Sequence, residues 1–198
     1  CERGDRVIGN ANTLSFILNK LIILPGVFIA IILHELAHGY SAYKLGDPTA
    51  KRCGRLTLNP LAHIDLLGFL FLFLFKFGWA KPVPINPNNF KNRKRDNIIV
   101  SLAGSITNFL IAILFTLILS VAVRLELNNI FIEILVLTIQ INLTFGIFNL
   151  LPFPPLDGSK VIASLLPLKY ELKFYEYEKY FYFLLIFLLL SNRLTPLL

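Results

Sequence analysis

From Asn97 to Val123 the chain carries no charged side chain, and from Ile134 to Leu156 it carries none again. A bilayer core of ~30 Å is spanned by ~20 apolar residues in a helix, and in lipid a spanning segment must satisfy all its own backbone hydrogen bonds. Leu14–Leu33, with Lys20 as its one charge, is a third run of this kind, and Tyr180–Asn192 is a shorter fourth. A soluble protein of 198 residues would have too little volume to bury all four. The 56% hydrophobic content and a mean hydropathy of +0.68 agree with membrane residence. The expected fold is an all-α polytopic membrane protein. It has about four transmembrane helices plus a re-entrant or membrane-embedded loop, all in a single integral-membrane domain over residues 1–198.

The formal charge of +7 does not call for nucleic acid. Basic residues gather in Lys44–Arg55, Lys91–Arg95 and Lys160–Lys179, each flanking an apolar segment, as cytoplasmic loops do under the positive-inside rule. The two cysteines, Cys1 and Cys53, do not make a disulfide framework, and Cys53 in its basic loop reads as a reduced thiol. Cys1–Asn12 lacks the pattern of a cleavable signal peptide, and the absence of methionine leads us to expect a short piece before Cys1.

The apolar run Leu21–Leu33 leads straight into His34-Glu35-Leu36-Ala37-His38. On a helix, HExxH places two imidazoles one turn apart on one face, where both can reach one zinc ion. The glutamate between them stands where it can take a proton from water. Ionisable groups at the end of a lipid-compatible segment are costly unless they are used, so the default reading is functional.

Along the chain, Gly46-Asp47-Pro48 stops the first helix, and Leu56-Thr57-Leu58 is a candidate short strand. Leu66–Phe77 is apolar but only about half a span long. A full crossing there would put Lys91–Arg95 opposite Lys44–Arg55, against the charge rule, so a re-entrant segment is expected. Asn97–Val123 crosses outward, Arg124–Asn129 turns, and Ile130–Leu151 returns. Pro152, Pro154 and Pro155 then break the helix ahead of Asp157. A last apolar helix is expected over Tyr175–Leu190.

Catalytic zinc usually has three protein ligands plus water. Asp157, Asp65 and His63 are candidates for the third. Asp157 is the strongest, being a lone carboxylate at the end of an apolar run, where coordination would satisfy it. Its other reading is a helix N-cap. His63 and Asp65 could instead orient a ligand imidazole, or be structural. Asn149 is an intramembrane amide that could support an oxyanion, whereas Asn108 and Asn142 suit hydrogen bonding between helices, and Gly104 and Ser105 suit close helix packing.

These motifs, His34–His38, Asn59–Asp65, Gly78–Val83 and Asn149–Gly158, occur in an order that resembles the site-2 protease family of intramembrane zinc metalloproteases, peptidase family M50. The resemblance covers nearly the whole chain. It implies zinc held by His34, His38 and Asp157, Glu35 as general base, and Asn149 as a substrate- or transition-state-binding amide. It also implies a core of three membrane helices, with the site nearer the cytoplasmic face of a bacterial inner membrane. Where the family often reads Gly-Pro-x-x-Asn, this chain reads Gly104-Ser105-Ile106-Thr107-Asn108. Neither a PDZ-like nor a CBS-like domain is recognisable, so a minimal member is expected.

The function expected is hydrolysis of peptide bonds in or near the transmembrane segments of membrane-anchored protein substrates, as in regulated intramembrane proteolysis. A substrate helix hides its carbonyls and must unwind locally, held by the Leu66–Pro84 loop or by a strand edge near Leu56–Leu58. The alternative is a membrane metal-binding or transport protein that uses the same ligands without hydrolysis. Intact Glu35 favours the protease.

Overall fold

A computed structural model describes the backbone of residues 2–75, 80–181 and 183–184, and the side chains of 21–68, 70–71, 80–181 and 183–184. The first helix, α1, runs Glu2–Lys44 and includes Pro25. It stops where expected, at Gly46 with φ +109°, a backbone that a side chain would strain. Next to that glycine, Asp47 is fully buried. Its carboxylate accepts from the Thr49 N–H (3.1 Å) and hydroxyl, from the Asn86 N–H (2.7 Å) and from the Asn89 side-chain amide (2.7 Å). The end of α1 is thereby tied to a loop forty residues on. Burial alone would raise the Asp47 pKa, but the hydrogen bonds from Thr49, Asn86 and Asn89 outweigh it and hold the carboxyl below its ordinary value.

Two single-turn helices follow, α2 (Thr49–Arg52) and α3 (Pro60–His63), the latter capped by Asn59, whose side chain accepts from the Leu61 N–H. The expected strand at Leu56–Leu58 does not form. Leu56 instead packs against Gly39 of α1, and the Thr57 carbonyl accepts from the His63 ring at 2.8 Å. Asp65 then caps α4 (Leu66–Phe75), its Oδ1 accepting from the Gly68 N–H at 2.8 Å. Ten helical residues reach only about 15 Å, half a bilayer core. Ile64 pairs antiparallel with Ala80, and the Lys81 N–H donates to the His63 carbonyl at 2.9 Å. The two ends of the excursion that begins at Asp65 are thereby held together.

After a 3₁₀ turn at Pro87–Asn89, Asn92 caps α5 (Arg93–Arg124), and Asn128 caps α6 (Asn129–Asn149). Among the described residues, Leu21–Lys44, Arg93–Arg124 and Asn129–Asn149 are long and apolar enough to cross a membrane. These three helices pack on one another. Their outward faces leave Leu110, Ile113, Leu117, Val121, Phe131 and Ile147 exposed, an apolar surface suited to lipid rather than water. Two shorter helices, α7 (Asp157–Leu165) and α8 (Leu168–Glu176), lie beside the start of α5. The Asn97 amide donates to the Ser164 hydroxyl at 2.7 Å, and Arg93 pairs with Glu171 at 2.8 Å. The expected last helix, Tyr175–Leu190, is interrupted near its start: α8 ends at Glu176, the chain turns at Tyr177, and residues 178–181 are helical again. Residues 182 and 185–190 lie outside the described residues, as do Gly78 and Trp79.

Candidate metal centre and active site

The three long helices and α7 meet around His34, His38 and Asp157, all buried. His34 Nε2 and His38 Nε2 are 3.0 Å apart, and Asp157 Oδ2 lies 3.0 Å from the first and 2.8 Å from the second. Their far ring nitrogens are committed elsewhere. His38 Nδ1 donates to the Val100 carbonyl of α5 at 2.7 Å, and His34 Nδ1 donates to Asn108 Oδ1 at 2.6 Å. The Asn108 oxygen is identified by its amide nitrogen, which donates to the Ala30 carbonyl (3.2 Å) and to Asn142 Oδ1 (3.0 Å). Asn142 in turn donates to the Thr138 carbonyl at 2.8 Å, so one polar chain crosses all three long helices.

A neutral imidazole that donates from Nδ1 has only a lone pair at Nε2. Two such lone pairs and a carboxylate oxygen, turned toward one point in a buried site, repel each other unless a cation lies between them. Two imidazole nitrogens and one carboxylate oxygen are the donor set of an open catalytic zinc site, and acceptors behind the rings are the usual support for such ligands. The residues present therefore fit zinc.

Two glycines make this approach possible. A Cβ at Gly104 would lie 2.5 Å from both His34 Cε1 and His38 Nε2. A Cβ at Gly158 would collide with the backbone of Leu150 and Leu151, so its absence lets the first turn of α7 seat Asp157 under the end of α6. Phe145 closes the other side of His34, with ring centroids 4.9 Å apart.

Glu35 points toward the loop that follows the re-entrant segment, where its Oε2 accepts from the Val83 N–H at 2.8 Å. On α1 it stands between the two histidines of the cluster, one residue after His34 and three before His38. Asp157 is the first residue of α7 rather than its cap, which is Leu156. Asn149 is buried at the end of α6, and its amide donates to the Phe145 carbonyl at 3.0 Å; among the described residues it makes no hydrogen bond to the cluster. His63 and Asp65 stay away from it. The His63 ring is engaged with Thr57 and Asp65 caps α4. Sequence reasoning treated Asn108 only as a bridge between helices and missed it behind His34. Its i+4 spacing from Gly104, on the helix opposite HExxH, was the available signal. Lys160, read only as one member of a basic loop, donates to Asp157 Oδ1 at 2.9 Å.

The model of peptidase family M50 matches residues 118–191, a stretch that holds Asn149 and Asp157. Over 192 residues the chain is 40% identical to YwhC of Bacillus subtilis (strain 168), a candidate zinc metalloprotease, with 92% of this chain and 86% of the relative covered. It is 30% identical over 151 residues to Rip2 of Mycolicibacterium smegmatis, also a candidate zinc metalloprotease, covering 73% of this chain and 57% of that one. With the zinc metalloprotease MJ0392 of Methanocaldococcus jannaschii the identity is 26% over 144 residues, 73% of this chain and 34% of the relative. No solved structure matches. Identity of this level over most of both chains, together with the matching family model, shows that the chain belongs to peptidase family M50, the site-2 protease family.

Proposed function

We propose that the chain is an intramembrane zinc metalloprotease that cuts peptide bonds in or near the transmembrane segments of membrane-anchored proteins. His34, His38 and Asp157 hold the zinc, and Glu35 is the general base. The observation that carries this reading is the convergence of Nε2 of both histidines and Oδ2 of Asp157 to within 3.0 Å of one another, between helices apolar enough to cross a membrane. Zinc, when bound there, supplies a Lewis acid for the scissile carbonyl and makes water more acidic. Glu35 takes the proton from the attacking water and passes it to the leaving amine. The Val83 N–H holds one of its carboxylate oxygens, which fixes the group and leaves the other to receive the proton. Asn149 assists by exchanging its bond to the Phe145 carbonyl for one to a substrate oxygen.

Depth and sidedness belong to the same proposal. His38 stands six residues before Lys44, about 9 Å along α1 from the end where basic residues begin. If Lys44–Arg55 and Lys91–Arg95 face the cytoplasm of a bacterial inner membrane, the site lies within the bilayer near that face. Water reaches it from the polar Pro48–Asp65 side. The described residues and those outside them are read as one catalytic unit spanning 1–198.

The test is purified, zinc-loaded protein in proteoliposomes with a single-span peptide. Cleavage inside the span, stopped by chelation and restored by zinc, is expected. Cuts confined to the extramembrane parts, or cleavage indifferent to chelation, would overturn the reading.

A further inference from the structure

Asp157 has two carboxylate oxygens, and the structure divides them. Oδ2 faces both Nε2 atoms, while Oδ1 accepts from the Lys160 ammonium at 2.9 Å. Lys160 stands one turn further along α7, so the helix itself folds the cation back over the carboxylate. An i,i+3 pair on an exposed helix contributes little. This one differs because the Asp157 side chain is only 7% exposed and its other oxygen is already committed, whereas the Lys160 side chain, 45% exposed, comes in from outside. Among the described residues, Lys160 is the one lysine or arginine paired with the cluster.

We propose that Lys160 is a positioning residue that occupies Oδ1 and so presents Asp157 to zinc through Oδ2 alone. This rests on the ligand set proposed above. A catalytic zinc site keeps one position open for water or substrate, and a carboxylate free to bind through both oxygens would fill it. Lys160 prevents that by holding the second oxygen in a charge-assisted hydrogen bond. A guanidinium can make the same bond; an apolar side chain cannot.

The test compares wild type, K160M, K160R and D157A by metal content and by X-ray absorption at the zinc edge, with steady-state cleavage measured beside them. Wild type and K160R should hold about one zinc with four light ligands. K160M should keep its zinc but gain an oxygen neighbour as Oδ1 joins, and lose on the order of ten-fold or more in kcat with KM little changed. If K160M does not fold, K160A takes its place in the same comparison. A variant lacking Lys160 with the wild-type zinc spectrum and kcat overturns the positioning role while leaving the ligand set intact. Full zinc content in D157A would instead remove the ligand set and this proposal with it.

Discussion

Gly104 has no side chain because none fits: a Cβ would come within 2.5 Å of both imidazoles. Neither ring can retreat without leaving Asn108 or the Val100 carbonyl. Gly104→Ala should therefore cost about 1–3 kcal/mol as overpacking and weaken zinc binding at least ten-fold, read by chelator competition. Asn108→Leu leaves His34 Nδ1 and Asn142 without their partner, and zinc affinity should fall roughly 10–100-fold. Affinity within two-fold of wild type for either variant would contradict this account of the ring positions. The motif residues were legible in sequence because HExxH brings its own geometry and Asp157 is a costly carboxylate in an apolar setting. Asn108 and Lys160 were not, because their partners lie across helix contacts or on the chosen oxygen of a carboxylate, which spacing does not encode.

At the level of elements, charge-free runs and helix stops located α5, α6 and the end of α1 closely, whereas α1 begins at Glu2, well before the apolar run that starts at Leu14. Gly46-Asp47-Pro48 and the prolines after Asn149 acted as the expected breaks. The candidate strand at Leu56–Leu58 failed because an alternating three-residue pattern cannot reveal that Leu56 is drawn onto α1. The loop over residues 80–90 had no periodicity to read, yet it carries the N–H that holds Glu35 and is anchored through Asp47. Asp47→Asn should lower stability by about 1–3 kcal/mol at neutral pH, measured by thermal unfolding in detergent. Its folded-state pKa is depressed, so the stabilisation is present above the unfolded value of ~3.9 and is lost as pH falls through the folded one. The wild-type margin over D47N should thus be full near pH ~6 and shrink below ~4. A margin that does not change with pH would show that the charge of Asp47 is not what ties the loop.

For the whole molecule, the Ile64–Ala80 pairing holds together the two ends of the segment between them, and a re-entrant course for that segment predicts that the chain before and after it faces one side. The native, exposed Cys53 and a cysteine at Asn88 should then react with a membrane-impermeant maleimide from the same face. A cysteine at Glu126, in the turn between α5 and α6, should react only from the opposite face, each of the three positions being tested with every other cysteine, Cys1 included, replaced by serine. Labelling of Asn88→Cys from the Glu126 side would require a full crossing and dismantle the re-entrant reading. The central claim is hydrolysis at the His34–His38–Asp157 site by the base Glu35, and Glu35→Gln tests it most directly when zinc content and cleavage are measured on one preparation. The account predicts about one zinc per chain, as in wild type, with cleavage of a membrane-spanning peptide reduced by at least ~10²-fold. Cleavage that persists with zinc bound would remove Glu35 as the base and with it the proposed mechanism.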